Sequence, residues 1–169
     1  PEYDAARLGP VRADTGRWVS CIRVVDAVTM STCACVELAN DEAAFSIALV
    51  PLAACRNEWF LIVGSTQSLT QKPRAMKAAF LSTYRLACQG RQIELVHKTE
   101  VDDVPLALHA FHGRLLVGVG MHLRIYDMGT KKLLRKCQSR PFPSAIVRVS
   151  VQGHRIIVGD SQESVHYVV

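Results

Sequence analysis

The chain has 169 residues, 49% of them apolar and 21% charged, with a formal net charge of +5. That balance excludes a disordered chain and gives room for one domain with a real core. No apolar run approaches the roughly eighteen residues that a membrane span needs, and the positive charge is scattered rather than gathered in a nucleic-acid tract.

Residues 1–17 read as a flexible linker. From Trp18 onward the pattern is dense in strands and poor in helical periodicity. A half unit of two strands is expected over 18–40, at 18–25 and 34–38. A full four-stranded unit follows over 43–99, with strands at 43–49, 59–63, 80–86 and 93–97. A polar insertion at 65–79 lengthens one of its hairpins. Within it, Arg74-Ala-Met-Lys-Ala78 is expected to form one helical turn, with Pro73 near its start. A second full unit occupies 104–138, with strands at 104–110, 114–119, 122–126 and 132–137. A partial unit, 145–169, ends the chain with strands at 145–151, 155–158 and 164–169. Turn signals separate the strands: Asp127-Met-Gly129-Thr130, Cys88-Gln-Gly90-Arg91 and Gln152-Gly153.

A repeat ties the units together. Arg114-Leu-Leu-Val-Gly118 recurs as Arg155-Ile-Ile-Val-Gly159, and Tyr126 recurs as Tyr167, both 41 residues on (114 to 155, 126 to 167). A period near 40 with strand-like content is the mark of a β-propeller blade. The clearest apolar runs end in Gly64, Gly118 and Gly159, where close backbone approach from a neighbouring sheet is expected. The fold class is therefore all-β: a partial β-propeller of WD-like, four-stranded antiparallel blades, about two full and two partial. Such a set cannot close the usual ring of about four to eight blades, so a piece of a larger protein is expected.

Catalytic and metal patterns have plainer readings. Gly159-Asp-Ser161 resembles a serine nucleophile motif but is followed by Gln162-Glu163, not by oxyanion-hole glycines. Gly118-Val-Gly120 lacks the third glycine and the helix of a phosphate loop. His109-x-x-His112 with His122, or Cys33-x-Cys35, lacks the second ligand cluster of a structural zinc site. Asp102 and Asp103 are neighbours that an extended chain points to opposite faces. Trp59 and Trp18 read as core rather than as base-stacking platforms. The six cysteines, Cys21, Cys33, Cys35, Cys55, Cys88 and Cys137, read as free thiols of a reducing, intracellular compartment. With no signal peptide and no Asn-x-Ser/Thr acceptor, that reading is consistent. No catalytic residue, cofactor or metal is expected. The candidate interaction surfaces are two basic sets: Lys72, Arg74 and Lys77, and Lys131, Lys132, Arg135 and Lys136. For each, a solvated face is the plainer alternative.

The residues also carry a family resemblance. Leu123-Arg-Ile-Tyr-Asp127 followed by Lys132-Leu-Leu resembles the third and fourth strands of a WD-type blade. A longer series keeps its order from Trp18 to the C-terminus: Trp18-x-Ser20-x-Ile22-Arg-Val24, Glu42-Ala-Ala-Phe-Ser46, His97-Lys-Thr99, Gly113-Arg114, Gly118-Val-Gly120, Lys131-Lys-Leu-Leu-Arg-Lys-Cys137, Gly153-His-Arg155 and Asp160-x-Gln162-Glu-Ser164. The series resembles the C-terminal propeller of a large triple-propeller family. That family includes the propeller subunit of splicing factor 3b, the large subunit of the cleavage and polyadenylation factor, and the damaged-DNA-binding adaptor of ubiquitin ligases. The splicing factor 3b subunit 3 type is the nearest. The resemblance implies a non-catalytic nuclear scaffold in the U2 small nuclear ribonucleoprotein, supporting spliceosome assembly and branch-site recognition. Its implied partners are other splicing factor 3b subunits, a helical-repeat subunit and small subunits, with RNA contact left open and no membrane. The alternatives are a ubiquitin-ligase or DNA-damage adaptor, an mRNA 3′-end processing propeller, and a metal-binding or enzymatic domain using the His and Cys residues.

Overall fold

The structure is a computed structural model that describes residue 13 and residues 15–169. Most of the expected 1–17 linker lies outside the described residues. Strands β1 (Cys21–Val25) and β2 (Thr32–Glu37) form a two-stranded antiparallel sheet. The second sheet starts with β3 (Glu42–Leu52) and β4 (Glu58–Gln67). A small ribbon of β5 (Thr70–Gln71) and β6 (Arg74–Ala75) interrupts it before β7 (Ala78–Ala87) and β8 (Gln92–Val101) complete it in the order β3-β4-β7-β8. The third sheet contains β9 (Pro105–Phe111), β10 (Arg114–Val119), β11 (His122–Met128) and β12 (Leu133–Gln138). The fourth contains β13 (Ile146–Gln152), β14 (Arg155–Asp160) and β15 (Val165–Val168). In both four-stranded sheets every strand pairs antiparallel with its sequence neighbour in that sheet. The chain is all-β and consistent with partial propeller blades.

The sheets stack face to face, and three apolar layers fill the gaps. Ile22 meets Leu61, Val63 and Tyr84 between the first and second sheets. Phe60, Ile62 and Leu81 meet Leu115, Val117, Tyr126 and Leu133 between the second and third. Leu116 and Leu123 meet Ile146, Val149, Ile156 and Val158 between the third and fourth. Successive strand residues point to opposite faces. A strand covered on both sides must therefore be apolar at every position, which is why residues 60–63 and 115–117 form unbroken runs. Each fully buried Val, Leu or Phe contributes about 1.5–3 kcal/mol.

Two glycines permit this close stacking. A Cβ on Gly118 would lie 2.5 Å from Ile146 Cγ2 of the next sheet, and one on Gly64 would lie 2.6 Å from the Pro105 carbonyl oxygen. Gly159 differs from the expectation. A Cβ there would meet the Arg148 Cβ at 3.6 Å, an ordinary contact, because no described residue covers that face of β14. The repeated tyrosines part in the same way: Tyr126 is buried in the second layer, while Tyr167 is 60% exposed.

Three further expectations are corrected. The insertion is shorter than 65–79, since Ser65, Thr66 and Gln67 pair with Phe80, Ala79 and Ala78. The helical turn at 74–78 is absent. Thr70 and Gln71 pair with Ala75 and Arg74, and the Thr70 hydroxyl donates to the Pro73 carbonyl at 3.0 Å. The paired strands on either side carry the chain outward as a two-stranded ribbon, and one isolated helical turn is too costly to nucleate against it. Trp59 is 58% exposed, not core. It shares a face with Leu61 and Val63, but the described residues that cover those two stop short of it. Trp18 is half-buried, with its indole N–H donating to the Leu69 carbonyl at 2.9 Å and its ring edge-on to Phe45.

Candidate interaction surface

The ribbon's basic set and the Lys131–Lys132 turn lie at opposite ends of the sheets. Arg74 pairs with Asp103 at 3.2 Å, and Asp103 sits in the connection between β8 and β9. The Gly120 turn lies at the same end, its N–H donating to the Val104 carbonyl at 3.1 Å. Strand β11 starts beside that turn and runs away from it, so Lys131 and Lys132, just beyond Met128, sit at the far end. Lys72, Arg74 and Lys77 are all exposed on the ribbon and its root. Lys131, Lys132, Arg135 and Lys136 are exposed on the turn into β12 and on β12 itself, the free edge strand of its sheet. Lys132 and Arg135 rim a groove of about 870 Å³ between β8 and β12. The other cations in it are committed: Lys98 to Glu42 at 2.7 Å, and Arg124 to Asp102.

Sequence reasoning missed those two pairs. Arg124 is 3% exposed although it interrupts the apolar run of β11. Its guanidinium grips both carboxylate oxygens of Asp102, with Nη2 to Oδ2 at 2.8 Å, and its Nε–H donates to the Gln138 side chain at 2.8 Å. Those bonds hold the Asp102 carboxyl below its ordinary range and push the Arg124 guanidinium above its own. Glu42 is 1% exposed and accepts from Lys98 and from the Ser65 hydroxyl. A charge set between apolar neighbours, as in Leu123-Arg124-Ile125, was the available signal.

The fold gives several residues of the catalytic and metal patterns separate partners. Asp102 and Asp103 turn to different partners, Arg124 and Arg74. Asp160 accepts the His166 ring N–H at 2.8 Å and the backbone N–H groups of Gln162, Glu163 and Ser164, which hold its carboxyl low. Among the described residues, Ser161 has only the Ser144 hydroxyl, 3.3 Å away, as a side-chain partner. His112 stacks on His154 with ring centroids 4.4 Å apart, while His122 lies at the opposite end of its sheet beside Ser139. Among the described residues, no group of three or more His, Cys, Asp or Glu is placed to hold a metal ion. The described face of the molecule is thus a set of paired and scattered charges around apolar layers.

Comparison with known proteins decides the family. Residues 19–169 match the family described as the CPSF A subunit region. The chain belongs to that family. It is 54% identical over 164 residues, 97% of its length, to the pre-mRNA-splicing factor RSE1 of Mycosarcoma maydis. It is 40% identical over 163 residues (96%) to splicing factor 3B subunit 3 of Danio rerio and 44% identical over 162 residues (95%) to spliceosome-associated protein 130 A of Arabidopsis thaliana. The chain spans 13% of the length of each of these relatives.

Proposed function

We propose that this CPSF A subunit region is a non-catalytic scaffold segment of a splicing factor 3b subunit of the subunit 3 type. In this reading it works in the nucleus within the U2 small nuclear ribonucleoprotein and supports spliceosome assembly and branch-site recognition. Its partners are other splicing factor 3b subunits, a helical-repeat subunit and small subunits. The propeller segment is assigned to 18–169, divided into a half blade at 18–40, blades at 43–99 and 104–138, and a partial blade at 145–169. The observation that carries the reading is the 54% identity, over nearly the whole chain, to a relative named as a pre-mRNA-splicing factor. The geometry supports it in kind. Rigid stacked sheets with turns displayed at both ends suit the docking of several partners, and the charged side chains inside the molecule are spent on one another. Lys72, Arg74 and Lys77 at one end, Lys131 and Lys132 at the other, and Arg135 and Lys136 along β12 are the proposed contact residues. The test is affinity purification of the full-length protein from nuclear extract, with the bound subunits identified by mass spectrometry. Splicing factor 3b subunits are expected. Recovery of a cullin or of 3′-end processing subunits in their place would overturn the reading.

A further inference from the structure

The connection between β4 and β7 has no equal in the neighbouring sheet, where β10 passes into β11 through Gly120 and Met121 alone. Here ten residues, 68–77, leave the sheet as a two-stranded ribbon and return. Its paired residues Thr70, Gln71, Arg74 and Ala75 are all exposed, so the ribbon itself buries no strand face. It is nevertheless fixed. The Ser68 N–H donates to the Asp41 carbonyl at 2.8 Å, the Lys77 N–H to the Gln67 carbonyl at 3.0 Å, and the Trp18 indole to Leu69. Met76 packs against the second apolar layer, and Arg74 is tied to Asp103. The segment reads Ser-Leu-Thr-Gln-Lys-Pro-Arg-Ala-Met-Lys, with three cations, no acid and no aromatic ring.

We propose that this ribbon is a docking arm for an acidic patch on a partner protein. The proposal rests on the scaffold reading and gives it a place and a partner chemistry. An arm anchored at its root and paired along its length loses less conformational freedom on association than a free loop, and its single sign of charge selects a partner of opposite sign. Once Arg74 is committed to Asp103, Lys72 at the tip and Lys77 at the root have no carboxylate partner among the described residues. Two such cations, one at the tip and one at the root, match carboxylates spaced along a partner's surface. They do not match an RNA strand, whose affinity depends on many neutralised phosphates and on aromatic stacking that the ribbon does not offer.

The test uses the full-length protein with p-benzoyl-phenylalanine in place of Gln71, purified from nuclear extract with its bound partners and irradiated. The expected adduct is a partner peptide with clustered Asp and Glu. Its yield should fall about tenfold when Lys72→Glu and Lys77→Glu are combined, and should persist with Lys72→Arg and Lys77→Arg. An adduct to RNA, an adduct to a peptide without clustered acids, no adduct, or a yield indifferent to charge reversal would overturn the proposal. The co-purified subunits are read separately. An acidic adduct at position 71 within a cullin assembly would overturn the splicing reading and leave the docking arm standing.

Discussion

Gly118 carries a constraint that follows from one missing atom. A Cβ there would lie 2.5 Å from Ile146 Cγ2, which leaves no space for a side chain between the third and fourth sheets. Gly118→Val in the full-length protein is expected to cost about 2–3 kcal/mol through overpacking, read as a lowered denaturant midpoint. His97 is a second residue with a measurable consequence. Burial lowers its pKa, its Nε2 lies 3.0 Å from the Met128 sulfur, and its Nδ1 has no partner among the described residues. The unfolded chain therefore takes up the proton first, near the ordinary imidazole pKa of about 6.5. This contribution to stability is complete above that pH and declines as pH falls below it. A fall in melting temperature between about pH 7.5 and 5.5 is expected, and a His97→Gln variant should show a shallower one.

At the scale of elements, the Arg124–Asp102 pair fastens β11 to the end of β8. Arg124 is shut away from water, whereas the Asp102 side chain remains 68% exposed. Removing the carboxylate leaves a buried guanidinium without its counter-charge. Asp102→Ala should cost about 2 kcal/mol, below the value for a fully buried pair because solvent screens the carboxylate side. Combining it with Arg124→Met should cost less than the single change, which a double-mutant cycle of urea melts would show. The pair also has a pH signature. A carboxyl whose pKa is depressed in the fold stabilises it above the ordinary value, near 4, and that contribution is lost as pH falls further. The strands themselves were largely legible in the sequence because β4 and β10 are covered on both faces and leave unbroken apolar runs. The ribbon was not. Its pairing is set by the register of Gln67 with Ala78, far from any pattern in residues 70–75. Trp59 misled for a related reason: an apolar run says which residues can be buried, and the reach of the neighbouring sheet decides which are.

For the whole molecule, the stacking is the claim to challenge. Val117 lies in the second apolar layer and Val158 in the third, both fully buried. Val117→Glu or Val158→Arg would place an unpaired charge between sheets and is expected to cost several kcal/mol. Thermal melts of these variants in the full-length protein that coincided with wild type would contradict the layered arrangement. The 41-residue repeat made this architecture readable, since Leu115-Leu-Val117 and Ile156-Ile-Val158 occupy equivalent strands of adjacent sheets. The repeat could not tell that described residues cover only one of them on both faces, because similar local patterns can meet different neighbours. Nor could linear spacing reveal that the ribbon and the Lys131–Lys132 turn point to opposite ends, which depends on the direction of β11.

The uncovered side of the last sheet has a practical corollary. Ile157, Val165 and Tyr167, at 40%, 72% and 60% exposure, form a greasy flank beside the open backbone edge of β15. If these 169 residues alone were produced in bacteria, that flank would recruit further copies through strand addition and oily contact. The recovered material should light up a solvatochromic dye such as anilinonaphthalene sulfonate and sediment faster as concentration rises.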